Sequence, residues 1–339
     1  MQEDLREQAC WLLLAIDSGL KTHVGLTTRV VNDILVVWCH QAKRSLQEFF
    51  AANADEWRRV CHLGDEQINK LEQAREKLVS QAFVVEQLAH EGIHMLTVLD
   101  KDYPKLLKTT LKREQAPPVL FYMGDLAILE RKTIAIIGSR EANEESLAFT
   151  QSAAAYLADH EANVISGYAR GVDRSAFEGA TSVNGYTTVV LPHGIRKLSG
   201  VQMRALRPMI EAGKVLLLSQ FYPDAQWTKF RAMDRNKVVT GLAQIVIVAQ
   251  SSKKGGTWEG AQEALRQRKP VYVRNTSDLS LAGNHALIKQ GAKPLSWPVD
   301  DIAELLNPLL EKSSVLQEQQ QRKQEQAGQL SLLAYTNED

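Results

Sequence analysis

The sequence predicts an α/β protein in which a small all-α domain precedes a doubly wound parallel sheet. After Ile134, short apolar and β-branched runs recur about every 25 to 30 residues, separated by stretches long enough for one helix each. Strands that alternate with helices pair in parallel through right-handed crossovers. Before residue 90, apolar residues recur at helical spacing with almost no proline, which predicts several short packed helices.

The composition is that of a soluble globular chain. Its 339 residues correspond to roughly two domains at about 150 residues each. Hydrophobic residues make up 44% and charged residues 24%, which excludes a wholly disordered or collagenous chain. Lys plus Arg (40) equals Asp plus Glu (40), so any attraction to nucleic acid must come from a local patch. Without a long apolar run or a basic secretory start, we expect a cytoplasmic protein with no membrane contact.

Residues 1–90 form the predicted helical domain. Two segments, 16–20 and 61–65, place a glycine between helical stretches. Such a turn contacts DNA phosphates in a helix-hairpin-helix, but an ordinary helix C-cap is the alternative that the pattern favours. Three cysteines without CxxC spacing predict buried thiols rather than a disulfide framework or a zinc site; they are Cys10, Cys39 and Cys61.

Residues 91–133 are expected to connect this domain to the α/β domain over 134–312. Prolines in the segments 102–104 and 117–120 predict turns and extended chain. The remainder, 313–339, predicts a flexible Gln-rich tail because it carries too little apolar surface to fold alone. The six predicted strands are Ile134–Ile137, Asn163–Ile165, Thr187–Leu191, Val215–Leu218, Ile245–Val248 and Val271–Val273.

Three turns of the predicted sheet are unusual. Ligands of an open α/β sheet bind beyond the carboxyl ends of the strands, and these turns follow the first, second and fifth strands. Each combines glycine with a hydroxyl or a cation and then opens a helix, whose N–H groups favour an anion. Together they predict a crevice for a phosphate-bearing ligand. The residues are Gly138, Ser139, Arg140, Gly167, Arg170, Gly171, Asp173, Gly255, Gly256 and Thr257, with Lys253 and Lys254 before the last three.

A fourth segment, 229–237, places four cations around Phe230. Cations neutralise successive phosphates and an aromatic ring stacks on a base, so the segment predicts a groove for single-stranded nucleic acid. The phosphate contacts are expected from Lys229, Arg235 and Lys237, and the stacking face from Phe230, Trp227 or Tyr222. The alternative is a solvated helix face with Phe230 in the core.

Several familiar motifs are missing from the sequence. It contains no GxxxxGK[ST], no GxGxxG, no HExxH and no paired-cysteine site, so we expect no cofactor and no metal. His193 follows the third strand as a candidate general base, but no GxSxG nucleophile accompanies it. A structural or ligand-contacting role for His193 is therefore favoured, and no catalytic residue is assigned.

The sequence resembles the DNA-processing protein A (DprA, or Smf) family. The resemblance covers about 200 residues of ordered motifs, namely DYPKLL (102–107), PPVLFYMGDLAIL (117–129), IAIIGSREAN (134–143), VISGYARGVDRSAFEGA (164–180), DRNKVVTGLAQIVIV (234–248) and NHALIKQGAKPL (284–295). It implies a SAM-like helical domain before an extended Rossmann-like domain. It also implies binding of single-stranded DNA, homodimers, and loading of a RecA-type recombinase in natural transformation.

By motif, the family's phosphate pocket falls on the first two glycine turns, and its RNR-type motif falls on Arg235, Asn236 and Lys237. Three features depart from the family pattern. Phe177 replaces the usual histidine, the segment 254–261 differs, and nothing after residue 310 resembles a winged helix. Two alternatives follow. One is a DprA-like component of a phage-defence or toxin–antitoxin module that acts through a protein partner. The other resembles the LOG-type nucleotide phosphoribohydrolases, with Glu259 in the N-glycosidic cleavage.

The tail carries one further motif. The peptide Gln329, Leu330, Ser331, Leu332 and Leu333 resembles the QL[SD]LF peptide with which bacterial proteins dock into the sliding clamp. A mobile tether that ends in an apolar anchor is typical of short linear motifs. The alternative is a final amphipathic turn that packs on its own domain.

Overall fold

The structure is a computed structural model that describes residues 2–15, 26–278 and 281–335. The glycine turn predicted at 16–20 lies outside the described residues. Among the described residues, no helix is long and apolar enough to span a membrane.

Helices and strands alternate through most of the chain. The helices are α1 Gln2–Ala15, α2 Thr28–Ile34 with a π-helical continuation Leu35–Gln41, α3 Leu46–Ala51, α4 Ala54–Cys61, α5 Asp65–Arg75, α6 Leu78–His90, α7 Lys105–Gln115, α8 Glu144–Asp159, α9 Val172–Ser182, α10 Gly200–Glu211, α11 Lys229–Leu242, α12 Gly256–Arg266, α13 Ala282–Lys289 and α14 Ile302–Tyr335. The strands are β1 His94–Thr97, β2 Val119–Met123, β3 Thr133–Gly138, β4 Asn163–Ser166, β5 Tyr186–Val190, β6 Val215–Ser219, β7 Ile245–Gln250, β8 Val271–Asn275 and β9 Lys293–Ser296.

The chain divides into two compact units. The first unit comprises Met1–Leu126 and Thr188–Gly241, and the second comprises Ala127–Thr187 and Leu242–Asp339. This grouping differs from the predicted boundary near residue 90, because the helical segment is bonded to later parts of the first unit. Asn32 Nδ2 donates to the carbonyls of Arg113 (2.8 Å) and Ala116 (2.9 Å). The Tyr222 hydroxyl donates to Gln81 Oε1 at 3.2 Å.

The second unit wholly contains four of the six predicted strands, namely β3, β4, β7 and β8. Its strands lie in the order β4-β3-β7-β8-β9, and every neighbouring pair is parallel. β3, β4, β7 and β8 are buried along nearly their whole length, whereas only Leu295 of β9 is buried. α8, α9 and α14 pack on the sheet through an apolar core that includes Ile136, Phe149 and Leu306. Continuous apolar strands are typical of a sheet covered on both faces. The α/β prediction and all six predicted strands are confirmed.

In the first unit the strand pairing is partly antiparallel. β1 pairs antiparallel with β2, and β2 pairs antiparallel with β6, with Phe121 opposite Ser219. The extended chain predicted at 117–120 is therefore the start of a sheet strand. The prolines that mark this segment precede the strand and do not interrupt it, because they lie before the first paired residue, Val119.

The predicted turn at 61–65 joins α4 to α5. His62 takes the left-handed conformation (φ 55°) after α4, whereas Gly64 has an extended φ of −80° and is the N-cap of α5. A C-cap therefore ends α4, but histidine rather than glycine supplies it. The thiol prediction is confirmed for Cys10, whose pKa is raised to about 12 by burial first and the charge of Glu7 second. Cys39 and Cys61 are half-buried free thiols.

The start of the predicted tail belongs to a helix. α14 continues through residue 312 without a break, and Ser313 is fully buried with its hydroxyl donating to Gln244. Leu316 packs against the core, and Gln317 donates to the carbonyl of Glu130. These contacts explain why a polar sequence continues the helix. The backbone of the proposed clamp peptide, 329–333, is part of α14, but its side chains are outside the described part of the structure.

Candidate functional site

The three glycine turns of the second unit lie at one edge of the sheet. They follow β3, β4 and β7, and β3 is hydrogen-bonded to both of the other strands. β4 lies on one side of β3 and β7 lies on the other, so the strand order reverses beside β3. Open α/β sheets form a crevice for ligands at such a reversal. The ladder is bulged between Ile137 and Gly138, so the backbone bends as it leaves the sheet.

The first two turns interlock closely. Gly171 has φ +85°, and a Cβ there would lie 2.4 Å from the carbonyl oxygen of Ser139. A Cβ on Gly138 would lie 2.4 Å from Val172 Cγ2. The Val172 N–H donates to the Ser139 carbonyl at 3.2 Å, which ties the start of α9 to the turn after β3. Both positions therefore require glycine, because each lets one turn lie close against the other. The sequence prediction that these glycines let the backbone approach a ligand stays a prediction.

Two arginines project from the interlocked turns. Arg140 and Arg170 are both exposed, whereas Gly167 and Asp173 are buried. The Ser139 hydroxyl accepts the N–H of Glu141 at 3.0 Å, which closes the turn. Arg140 and Arg170 lie four and two residues before the first residues of α8 and α9, and a helix N-terminus favours an anion.

The third turn precedes α12. Lys253, Lys254 and Gly255 are exposed, whereas Gly256 and Thr257 are partly buried at the start of the helix. This turn therefore offers ammonium groups at the carboxyl end of β7. Ser251, just before it, is held by Asn284, whose Oδ1 accepts the Ser251 N–H at 2.7 Å.

Three acidic residues follow Arg140 within five positions of the chain, and the sequence prediction of the crevice did not include them. Glu141, Glu144 and Glu145 are all exposed, and the last two lie in the first turn of α8. Carboxylates are favourable at a helix N-terminus but repel a phosphate that approaches the same place. The segment 140–145 therefore carries one cation against three carboxylates. The run REANEES, which begins at Arg140, carries this signal in the sequence.

The family's histidine position is occupied by an aromatic residue that packs internally. Phe177 is 5% exposed and meets the ring of Tyr168 edge-on at 4.8 Å. Tyr168 has φ 58°, and the Arg174 guanidinium lies 3.8 Å from its ring centroid. Phe177 therefore supports the turn after β4 by packing and offers no ionisable group.

In the first unit, α11 carries the predicted aromatic and cationic segment. Phe230 is 78% exposed and Trp227 is 48% exposed, so neither ring is part of the core. Lys229 is exposed beside them. Tyr222 is buried and donates its hydroxyl to Gln81, so its ring offers no stacking face. Two of the three candidate aromatic residues are thus accessible to a base.

The RNR-type motif is less exposed than the sequence predicts. Arg235 is only 3% exposed, and its Nη1 donates to the carbonyl of Val190 at 2.7 Å, at the end of β5. Asn236 is partly buried, and Lys237 Nζ lies 3.0 Å from Asp234 Oδ1. In this conformation Arg235 braces the sheet and does not present its guanidinium to solvent, because helix periodicity turns it toward β5 while Phe230 turns outward.

His193 is held by hydrogen bonds to neighbouring residues of the first unit. Its Nδ1 lies 2.9 Å from the carbonyl of Gly194, and its own carbonyl accepts the Ser219 hydroxyl at 2.8 Å. Burial lowers the pKa of the imidazole, with a smaller effect of the Arg235 charge. Among the described residues, no group of three His, Cys, Asp or Glu side chains is arranged to hold a metal ion.

The parallel sheet and the glycine turns at its carboxyl edge define an α/β protein of the Rossmann-like class. A family model for "DNA recombination-mediator protein A" matches residues 94–307. The chain belongs to that family. It is 30% identical over 210 residues to DNA processing protein DprA of Streptococcus pneumoniae, covering 61% of this chain and 73% of that protein.

Solved structures of the family share the fold. The structure of DNA processing protein A from Streptococcus pneumoniae has a TM-score of 0.63 at 24% identity and covers 80% of this chain and 90% of that one. The corresponding protein from Helicobacter pylori, solved to describe its single-stranded DNA binding mode, has a TM-score of 0.54 at 26% identity. That match covers 65% of this chain and 96% of the other.

Proposed function

We propose that this member of the family is a non-enzymatic, single-stranded DNA-binding protein that acts in DNA processing and recombination. The observation that carries the proposal is the interlocked pair of glycine turns, which carry the exposed residues Arg140 and Arg170. Exposed arginines at the carboxyl edge of a parallel sheet, close in the chain to the N-terminal ends of two helices, suit phosphate. The single-stranded DNA binding of the Helicobacter pylori protein, to which this chain is similar, supports the same ligand.

Two exposed aromatic rings at and just before the start of α11 suit the bases of single-stranded DNA. A single strand offers unpaired bases, and Phe230 and Trp227 offer accessible faces on which bases stack without sequence preference. Lys229 adds a cation beside them. Each of the two units thus carries its own candidate contact to single-stranded DNA.

The test is fluorescence anisotropy with a labelled poly-dT oligonucleotide at low salt. Arg140→Ala is expected to weaken binding by about five- to tenfold, because it removes one exposed charge-assisted phosphate contact. The matched control is Arg131→Ala. Arg131 pairs with Glu161 and lies over the ring of Tyr186, shortly before β3 begins. Equal affinities for the wild type, Arg140→Ala and Arg131→Ala would remove the crevice from the DNA interface.

We also propose binding partners and a cellular role for this chain, on the basis of its family membership. A homodimer and a RecA-type recombinase are the expected partners, in a role of the natural-transformation type. The proposal assigns no catalytic residue. Release of free base from a nucleoside monophosphate that Glu259→Gln abolishes would instead support the hydrolase alternative, and tight protein binding that survives Arg140→Ala would support the toxin–antitoxin alternative.

A further inference from the structure

A fully buried arginine lies at the carboxyl end of β8. The side chain of Arg274 is 0% exposed, and each of its nitrogens has a partner. Nε donates to the carbonyl of Ala249 (3.3 Å), Nη1 to Glu145 Oε2 (3.1 Å) and Nη2 to the Ser146 hydroxyl (2.9 Å). Burial of a guanidinium is costly unless its hydrogen bonds are satisfied, and an apolar residue of similar size is often as stable. The contacts therefore call for a reason beyond packing.

The contacts of Arg274 lead to the turn that carries Arg140. The Ser146 N–H donates to Asn143 Oδ1, the N-cap of α8, at 2.9 Å. The Asn143 N–H donates to Gln250 Oε1 at 2.9 Å. The Gln250 carbonyl accepts the Ser139 N–H at 2.9 Å. A continuous series of hydrogen bonds thus joins the buried guanidinium to both ends of the turn 139–143.

A second buried polar side chain holds the arginine in place. Asn284 is 0% exposed, and its Nδ2 donates to the carbonyls of Ala249 (3.1 Å) and Arg274 (2.9 Å). Its Oδ1 accepts the N–H of Ser251, at the start of the lysine turn. Asn284 thereby joins the ends of β7 and β8, and Arg274 joins the end of β8 to α8. Such directional bonds fix orientation, which apolar contact alone does not.

We propose that Arg274 is a positioning residue for the phosphate site. It holds the first turn of α8 through Glu145 and Ser146, and so fixes the turn 139–143 in the orientation that presents Arg140 to a phosphate. The inference rests on the proposed function, because it concerns the same site. In the sequence, this role of Arg274 is indicated by the segment VYVRN (271–275), in which a charged residue stands near the end of an otherwise apolar strand.

A double-mutant cycle tests the proposal by poly-dT anisotropy. Arg274→Met is expected to weaken binding about as much as Arg140→Ala, roughly fivefold, and to have almost no further effect when Arg140 is already alanine. Arg274→Lys keeps the charge and one donor, so it is expected to recover part of the affinity. Arg131→Met is the control. It also removes an ion-paired arginine of the second unit, and it is expected to lower the thermal midpoint without changing DNA affinity.

The outcomes separate the two claims. If Arg140→Ala weakens binding while Arg274→Met does not, or if their effects simply add, Arg274 is structural and the inference fails while the proposed function stands. If Arg140→Ala has no effect, the proposed function fails. Should Arg274→Met not fold, Ser146→Ala removes a single hydrogen bond of the same series. It is expected to weaken binding by about twofold, again only when Arg140 is present; an unchanged affinity would overturn the inference.

Discussion

At the scale of single residues, the turns between strand and helix determine what the site can bind. The sequence predicts that the turns carrying Gly138, Arg140 and Gly171 lie on one edge of the sheet, and in the structure Gly171 lies against the backbone of Ser139 and Arg140. Arg235 was predicted on the surface, but the structure buries it against β5. The four cations of this segment lie on different sides of α11, and the sequence alone does not say which side packs against the sheet.

Replacement of Gly171 is expected to disrupt the crevice. In Gly171→Ala, the new methyl group would lie 2.4 Å from the Ser139 carbonyl, at a backbone φ of +85° that alanine rarely adopts. We expect a loss of about 2 to 4 kcal/mol in the free energy of unfolding, measured by urea denaturation. The matched control is Gly291→Ala, where φ is +104° but nothing lies within 4 Å. A smaller loss at Gly171 than at Gly291 would contradict the interlocked geometry.

The carboxylates near Arg140 are expected to limit affinity. Glu141→Gln removes one exposed negative charge beside the phosphate site without changing the side-chain shape. We expect poly-dT binding to tighten by about two- to threefold at low salt, and the gain to vanish at high salt as the charge is screened. Glu211→Gln, an exposed carboxylate at the end of α10, is the control. Weaker binding by Glu141→Gln would show that Glu141 supports the site.

At the scale of elements, strand burial made most of the sheet predictable. The six apolar strands were recognised because they read as continuous hydrophobic runs. β1, β2 and β9 were not predicted as strands. Two prolines precede β2, and Pro294 lies within β9, which is a short strand beside β8 at the end of the sheet. The extent of α14 was also missed. Its first half is held by particular contacts of Ser313 and Leu316, which composition does not reveal.

The exposed aromatic residue of α11 gives an element-scale prediction. Phe230→Ala is expected to weaken poly-dT binding by about tenfold, because stacking of one base contributes about 1 to 3 kcal/mol. The free energy of unfolding is expected to stay within about 0.5 kcal/mol, since the ring is 78% exposed. The control is Val201→Ala, which truncates another exposed apolar side chain of the first unit, on α10. If Phe230→Ala retains full affinity, α11 is not a stacking surface.

At the scale of the whole molecule, charge balance distinguishes this chain from a general nucleic-acid binder. With 40 basic and 40 acidic residues, its overall field attracts no polyanion, so binding must depend on a few local contacts. The sequence predicted this dependence on local patches, and the structure shows exposed cations in both units. The helices α1 to α6 are grouped with later residues in the first unit, and hydrogen bonds such as those of Asn32 join them to α7 and the residue after it.

The central claim is that single-stranded DNA binds through phosphate contacts at the glycine turns. The most direct measurement is the affinity of the intact chain for poly-dT across a series of salt concentrations, compared with Arg140→Ala. We expect log K to fall linearly with log salt by about 0.7 per phosphate neutralised, and the slope of Arg140→Ala to be smaller by about that amount. Absence of binding at the lowest salt, or an affinity that neither salt nor Arg140→Ala changes, would contradict the claim.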